Sequence, residues 1–390
     1  MRYPSLTVAG FAVLFVILLA YPASTPIQSP TAAAPLLSLS LRAYPIPTPY
    51  AWGTSMTYDA HDGYMLLLDG NRTWADRNGS WNMLRPARSP EKTNWYCLAY
   101  DPLAGYTVLF GGAHSGGPFA GIGFVGEVTN ATWDYVKGDW TNITNDSGPM
   151  PALKYPACAY DPKFDGGAIV MFGGATSSYE HNSTTYLMYD TNQTWAYEKI
   201  GPKHFGWVQL HLVNSPPEMF GASMAYDTTT RTLVLYGGAS NGTSTANGSC
   251  SPTLCPHFHT TYKLSGSGTS LSWKVLPSVY TPPGSVFGGL AYDATDGYLL
   301  YFGGQINGYK SLNATQNVTA AFESGHWVNL TGTTNQTPGT RFGEGFAFDP
   351  TAGSVFMFSG LSGTLVNSTI CRDFWQFSDG TWSLTYRGDP

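Results

Sequence analysis

Residues 220–238, FGASMAYDTTTRTLVLYGG, and residues 260–273, TTYKLSGSGTSLSW, hold four short apolar runs separated by turn residues. The first run ends at Asp227 and the second at Gly237-Gly238. The third run is rich in aromatics, and Trp273 opens the fourth. Runs of this length, bounded by Gly, Thr and Asp, read as strands, and four in a row read as one antiparallel sheet.

The pattern recurs along the chain. An aromatic-Asp pair falls at Tyr58-Asp59, Tyr100-Asp101, Tyr160-Asp161, Tyr226-Asp227, Tyr292-Asp293 and Phe348-Asp349. Ten residues beyond the Asp comes a doublet: Asp69-Gly70, Gly111-Gly112, Gly237-Gly238, Gly303-Gly304 and Ser359-Gly360. In the third copy the step is twelve, to Gly173-Gly174, because its turn is longer. The second half of the unit repeats too: Trp133, Tyr135, Gly138 and Trp140 have the same spacing as Trp375, Phe377, Gly380 and Trp382. Trp74, Gly79 and Trp81 fit the same frame, with Asp76 in the aromatic slot. Tandem units of this size each have an apolar face that only a neighbouring unit can cover.

This arrangement resembles the kelch repeat of β-propellers, the propeller of galactose oxidase among them. The resemblance covers residues 36–390 and implies an all-β fold: a six-bladed propeller of four-stranded antiparallel blades, with seven blades the alternative. It says little about activity, because propellers host many functions. The copper-radical site of galactose oxidase requires an adjacent Tyr-His pair, which is absent; Glu180-His181 is the nearest match and carries no phenol.

Composition agrees with such a fold. The chain has 390 residues, 45 of them Gly and 27 Pro, with 15% aromatic and only 11% charged residues. A net charge of −6 without a Lys/Arg cluster argues against nucleic-acid binding. Residues 1–23 carry one Arg and then an apolar run, which reads as a signal peptide or an N-terminal anchor. Residues 24–35 form a Ser/Thr/Pro/Ala-rich linker, and residues 36–42 (LLSLSLR) alternate like a leading strand. Fourteen Asn-x-Ser/Thr sequons add to an exported, glycosylated reading. Any membrane association is expected only through the N-terminal segment.

Cys250 and Cys255 bracket four residues of one loop and are expected to form a disulfide in an oxidising compartment. Followed by His257 and His259, they also offer a zinc-binding alternative, although no cofactor is expected. Cys97 and Cys158 lie on the first strands of neighbouring blades, one position apart when aligned on Asp101 and Asp161. They are expected to point to opposite faces and to remain buried thiols.

In each blade, strand A runs into the Asp, B runs to the doublet, C carries the first aromatic and D opens near the closing Trp. The recurrent Asp is expected to cap its own A–B turn. B–C loops and D–A connectors then share one face of the disk. The B–C segments vary widely: 71–73, 113–132, 175–185, 239–259 and 305–318. The A–B turns are uniform, and Thr229 and Thr295 within them are expected to be neutral for binding and stability. Long loops on a rigid scaffold are where function concentrates. The candidate ligand-binding residues are therefore His114, His181, His257 and His259, with Tyr309 and Lys310 of the fifth loop. Trp52 and Trp95 join them, from a set of six aromatics (with Tyr155, Phe220, Phe287 and Phe342) near the hub. For those six, inter-blade packing is the expected role, with a sugar-stacking platform the alternative. The expected role is non-catalytic binding of an extracellular protein or glycan, with an extracellular galactose oxidase-like oxidase or other glycan-acting enzyme as the alternative.

Overall fold

A computed structural model describes residues 52–77, 79–114, 127–179, 186–240, 256–306, 315–333, 336–364 and 367–387. The leader, the linker and the leading strand at 36–42 lie outside the described residues, as do His181, Cys250, Cys255, Tyr309 and Lys310. Six four-stranded antiparallel sheets follow one another, each in the spatial order A-B-C-D. Blade 1 comprises Met56–Asp59, Tyr64–Asp69, Arg72–Arg77 and Ser80–Met83. Blade 6 comprises Gly345–Asp349, Ser354–Phe358, Asp373–Ser378 and Thr381–Arg387. The A strands pack side by side, and the A strand of blade 6 returns against that of blade 1, so six blades close the ring.

The repeated residues make the bonds their chemistry suggests. Oδ1 of Asp59 accepts the N–H groups of His61 and Asp62, both at 3.0 Å. Asp101, Asp227, Asp293 and Asp349 cap their turns in the same way. The Gly doublet joins neighbouring blades. The Gly112 N–H donates to the Leu153 carbonyl at 2.8 Å, and that carbonyl lies 2.4 Å from where a Cβ on Gly111 would be. Only glycine admits that approach. Gly174, Gly238 and Gly304 make the equivalent bond to Met219, Ser285 and Arg341.

The closing Trp is an inter-blade clamp. Trp140 Nε1 donates to Thr73 Oγ1 of the preceding blade at 2.9 Å. Trp207, Trp273, Trp327 and Trp382 do the same to Thr132, Thr194, Thr261 and Thr319. Thr73, Thr132, Thr194 and Thr319 are also the third residues of the sequons at Asn71, Asn130, Asn192 and Asn317. The fold itself therefore demands Thr at those positions, which accounts for part of the sequon count without export. Between blades 6 and 1 the threonine is replaced by Phe374. There Trp81 packs edge-on to the Phe374 ring at 5.5 Å, and its Nε1 has no acceptor among the described residues.

One sequence expectation is overturned. Cys97 and Cys158 are bonded to each other, with Cα atoms 5.9 Å apart. They do occupy opposite faces of their own blades, as expected. In a ring, however, the face that blade 2 turns to blade 3 meets the opposite face of blade 3, so this placement brings them together. The rest of the ring obeys the same geometry. The residue four before the Asp is small: Ser55, Cys97, Ala157, Ser223, Gly289 and Gly345. The residue three before it, one blade on, fills the space left. The Phe346 ring lies 2.4 Å from where a Cβ on Gly289 would be, and Met56 lies against Gly345. Cys158 over Cys97 is the covalent version of this pairing of a large side chain with a small one.

Candidate functional site

The loop face is built on a sealed hub. Gly53, Trp95, Tyr155, Gly221, Phe287 and Gly343 each donate their backbone N–H to the carbonyl of the counterpart one blade back, at 2.7 to 2.9 Å. The six bonds form a closed ring. All six residues sit in the left-handed region, with φ between 61 and 66°. That conformation costs a non-glycine residue about 1–3 kcal/mol, so Trp95, Tyr155 and Phe287 are held there by the ring and by packing. Each blade gives one aromatic to a plug above the ring. Where the ring residue is Gly, the preceding residue is aromatic: Trp52, Phe220 or Phe342. Trp95 meets Phe287 at 4.5 Å and Tyr155 at 5.0 Å between ring centroids. Trp95 is buried within this cluster, and Trp52 is half-buried beside it.

Around the plug, five D–A connectors pair with the start of their own B–C segment: Thr93 with His114, Lys154 with Ala175, Phe220 with Ala239, Val286 with Gln305 and Phe342 with Leu361. Two B–C segments continue into two-stranded ribbons, Ala175–Tyr179 with Tyr186–Asp190 and Leu361–Thr364 with Asn367–Ile370. They belong to blades 3 and 6, on opposite sides of the ring. His114 opens the B–C segment of blade 2, with Nε2 3.7 Å from Glu91 Oε2. His257 is half-buried and bridges to Ala239, and His259 is exposed. Among the described residues, no three His, Cys, Asp or Glu side chains converge in a metal-holding group.

Charged groups buried near this face escaped the sequence reading. Lys154 is fully buried with Nζ 5.2 Å from the Tyr155 ring centre, and burial pushes its pKa down to about 7. Arg341 forks onto Asp373, with Nη2 2.9 Å from Oδ2, and Trp375 Nε1 donates to the same oxygen at 2.8 Å. Burial alone would raise the Asp373 carboxyl; the Arg341 guanidinium, with the Trp375 and backbone N–H bonds, outweighs it and holds the group below its usual range. Glu344 is 6% exposed, its Oε1 accepts the Gly289 N–H at 3.0 Å, and its Oε2 has no hydrogen-bond partner among the described residues. Burial pushes Glu344 up to about 7, against the pull of its own backbone N–H, the Arg341 charge and the Gly289 bond. A sequence signal for Glu344 existed. The residue after the hub ring is Thr54, Tyr96, Pro156, Ala222, Gly288 or Glu344, and only the last is a carboxylate.

Below the sealed hub, the six A strands enclose a cavity of about 390 Å³. Thr54 and Glu344 line its inner end, and Tyr58, Tyr100, Tyr160, Tyr226, Tyr292 and Phe348 line the end next to the A–B turns.

Neither a known family profile nor a curated protein matches this sequence. Among solved structures, that of YjhT superposes with a TM-score of 0.56 at 13% identity, over 86% of this chain and 98% of that one. The fold is a kelch-type β-propeller. The structure of a fungal alcohol oxidase of the AA5 family, in complex with copper, is matched with a TM-score of 0.47 at 12% identity, over 81% of this chain and 59% of that one. At these identities the likeness of the kelch-type propeller to YjhT is one of fold, and its chemistry must come from its own residues.

Proposed function

We propose that this kelch-type propeller is an exported, non-catalytic binding module that engages an extracellular protein or glycan through its long-loop face. The sealed hub carries the reading. Among the described residues the backbone ring and the plug close the axis on that face, so a ligand there meets the plug, the ribbons of blades 3 and 6 and the loops around them. The turn face is built differently. Thr229 Oγ1 donates to the Gly297 carbonyl at 2.9 Å and Thr295 Oγ1 to the Gly353 carbonyl at 2.8 Å. These inter-blade bonds give both threonines a structural role, in place of the neutrality expected of them. They also explain why turn length is uniform. The Cys97–Cys158 bond supports export, since such bonds persist in oxidising compartments. Exposed sequon asparagines at Asn71, Asn130, Asn142, Asn145, Asn192 and Asn329 are compatible with it.

The test is an array of glycans and cell-surface proteins probed with the purified protein. The hit is then re-measured with residues 241–256 cut to a two-residue Gly linker, and separately with Lys163→Ala on the exposed turn face. Loss of binding in the first with an unchanged melting temperature, and retention in the second, is expected. The reverse pattern would assign the functional face to the turns.

A further inference from the structure

We propose that the central cavity is a second binding site, entered from the A–B turn face, for a slender linear polyamine whose leading ammonium sits at Glu344 and Thr54. The site is independent of the loop face, because the backbone ring and the aromatic plug separate the two. Four features select the ligand.

First, the cavity is deep. The residues two before the Asp are Thr57, Ala99, Ala159, Ala225, Ala291 and Ala347, all of them small, and all line it. Thr54 and Tyr58 of blade 1, four residues apart, separate the inner end from the mouth, roughly 13 Å at the rise of a β-strand. Second, two buried hydrogen-bond acceptors beside the inner end have no donor among the described residues: Glu344 Oε2 and Thr54 Oγ1, on residues 6% and 5% exposed. An ammonium brings three donors and no acceptor, so it satisfies both without creating a new unpaired group. Third, the mouth is a girdle of five tyrosines and one phenylalanine, half-buried, each followed in the chain by a buried Asp. Aromatic faces and carboxylates favour cations and repel anions. Fourth, length discriminates among amines. The four-carbon stem of a lysine reaches about 6 Å from its backbone and stops well short of Glu344, whereas a linear polyamine such as spermine spans the whole depth. The cavity volume of about 390 Å³ lies in the range of small-ligand sites.

The experiment is calorimetric titration of the purified protein with spermine and with 1,12-dodecanediol, an uncharged chain of similar length. One-to-one binding of spermine and no binding of the diol are expected. Glu344→Gln and Thr54→Val should each weaken spermine binding about tenfold, the weight of one charge-assisted hydrogen bond. Thr57→Leu, a half-buried wall position in blade 1, should weaken it by narrowing the passage, and remains decisive should Glu344→Gln fail to fold. Equal affinity in the wild type and in every folded variant would mean that spermine sits on the acidic surface, and would overturn the proposal. So would a diol that binds as well as the amine, or no saturable heat at millimolar spermine.

Discussion

Thr319→Val tests the inter-blade clamp at its simplest point. Thr319 and Trp382 are 1% and 2% exposed, and the indole Nε1 donates to Thr319 Oγ1 at 3.0 Å. Valine keeps the shape of threonine, so no cavity opens, and the backbone bond from Thr319 N–H to Thr331 Oγ1 is untouched. What is lost is the acceptor, leaving a buried indole N–H without a partner. That situation costs about 1–3 kcal/mol, more than the roughly 0.5–1.5 kcal/mol net worth of a neutral hydrogen bond. Trp382→Phe removes the donor instead. In the double variant nothing is left unpaired, so the two costs should fall short of additivity by about 1 kcal/mol. Urea unfolding followed by far-UV circular dichroism reads all three, without relying on the fluorescence of the altered Trp. A Thr319→Val cost below about 0.3 kcal/mol, with strict additivity, would refute the clamp. The seam gives the contrasting case. Phe374→Thr offers Trp81 the acceptor it lacks but removes a ring stacked on Phe356 at 5.0 Å. Truncating a buried Phe costs about 3–5 kcal/mol and the new bond returns about 1, so net destabilisation is expected.

Replacing Cys97 and Cys158 by Ala should cost about 4 kcal/mol, the chain-entropy value for a crosslink spanning 61 residues; a peptide map without reduction that finds both thiols free refutes the pairing. Glu344 gives a pH signature. Its folded pKa of about 7 lies above the ordinary 4.5, so the stability it contributes is full below 4.5 and is lost as pH rises through about 7. Glu344→Gln lacks that loss, and its stability relative to the wild type should rise across this window; a flat difference counts against a buried carboxyl. N-terminal sequencing of the native protein should find a start between Ala23 and Pro35, and an intact Met1 on a soluble species would contradict export.

Most of the fold was legible because its bonds are local or periodic. A turn Asp needs only the N–H groups two and three residues ahead, so Asp59 and its counterparts could be assigned without knowing the ring. The Gly doublet and the closing Trp were legible as positions, but their partners were not. Leu153 lies 41 residues beyond Gly112, and Thr319 lies 63 before Trp382. Nothing within one repeat says that the indole needs a hydroxyl in the blade before it. The six hub aromatics were found from their spacing of six or seven before the Asp. The reason for the alternation was hidden, since it follows from which ring positions are Gly.

The disulfide and the cavity were missed for a common reason: each blade was read as an isolated sheet. In an isolated sheet, opposite faces are apart, and Cys97 and Cys158 cannot meet. In a closed ring every face is an interface, and residues on opposite faces of neighbouring blades are the ones in contact. The same argument shows where a repeat protein reveals function. Six copies supply their own frame of reference, and departures from it can have a packing cause: Cys158, where a large apolar residue is the rule, answers Cys97, and Phe374, where Thr is the rule, packs its ring edge-on to Trp81. Glu344 is a departure answered only in charge: Arg341, standing where other blades have Leu153, Met219 and Ser285, acts on it electrostatically, and its fork goes to Asp373. Its neighbours across the interface, Gly289 and Gly303, are what the frame prescribes at those positions, and one carboxylate oxygen is left with nothing to accept. A buried acceptor without a donor costs about 1–3 kcal/mol, and among the described residues no hydrogen bond reaches Oε2. A ligand that brings the donor would offset that cost.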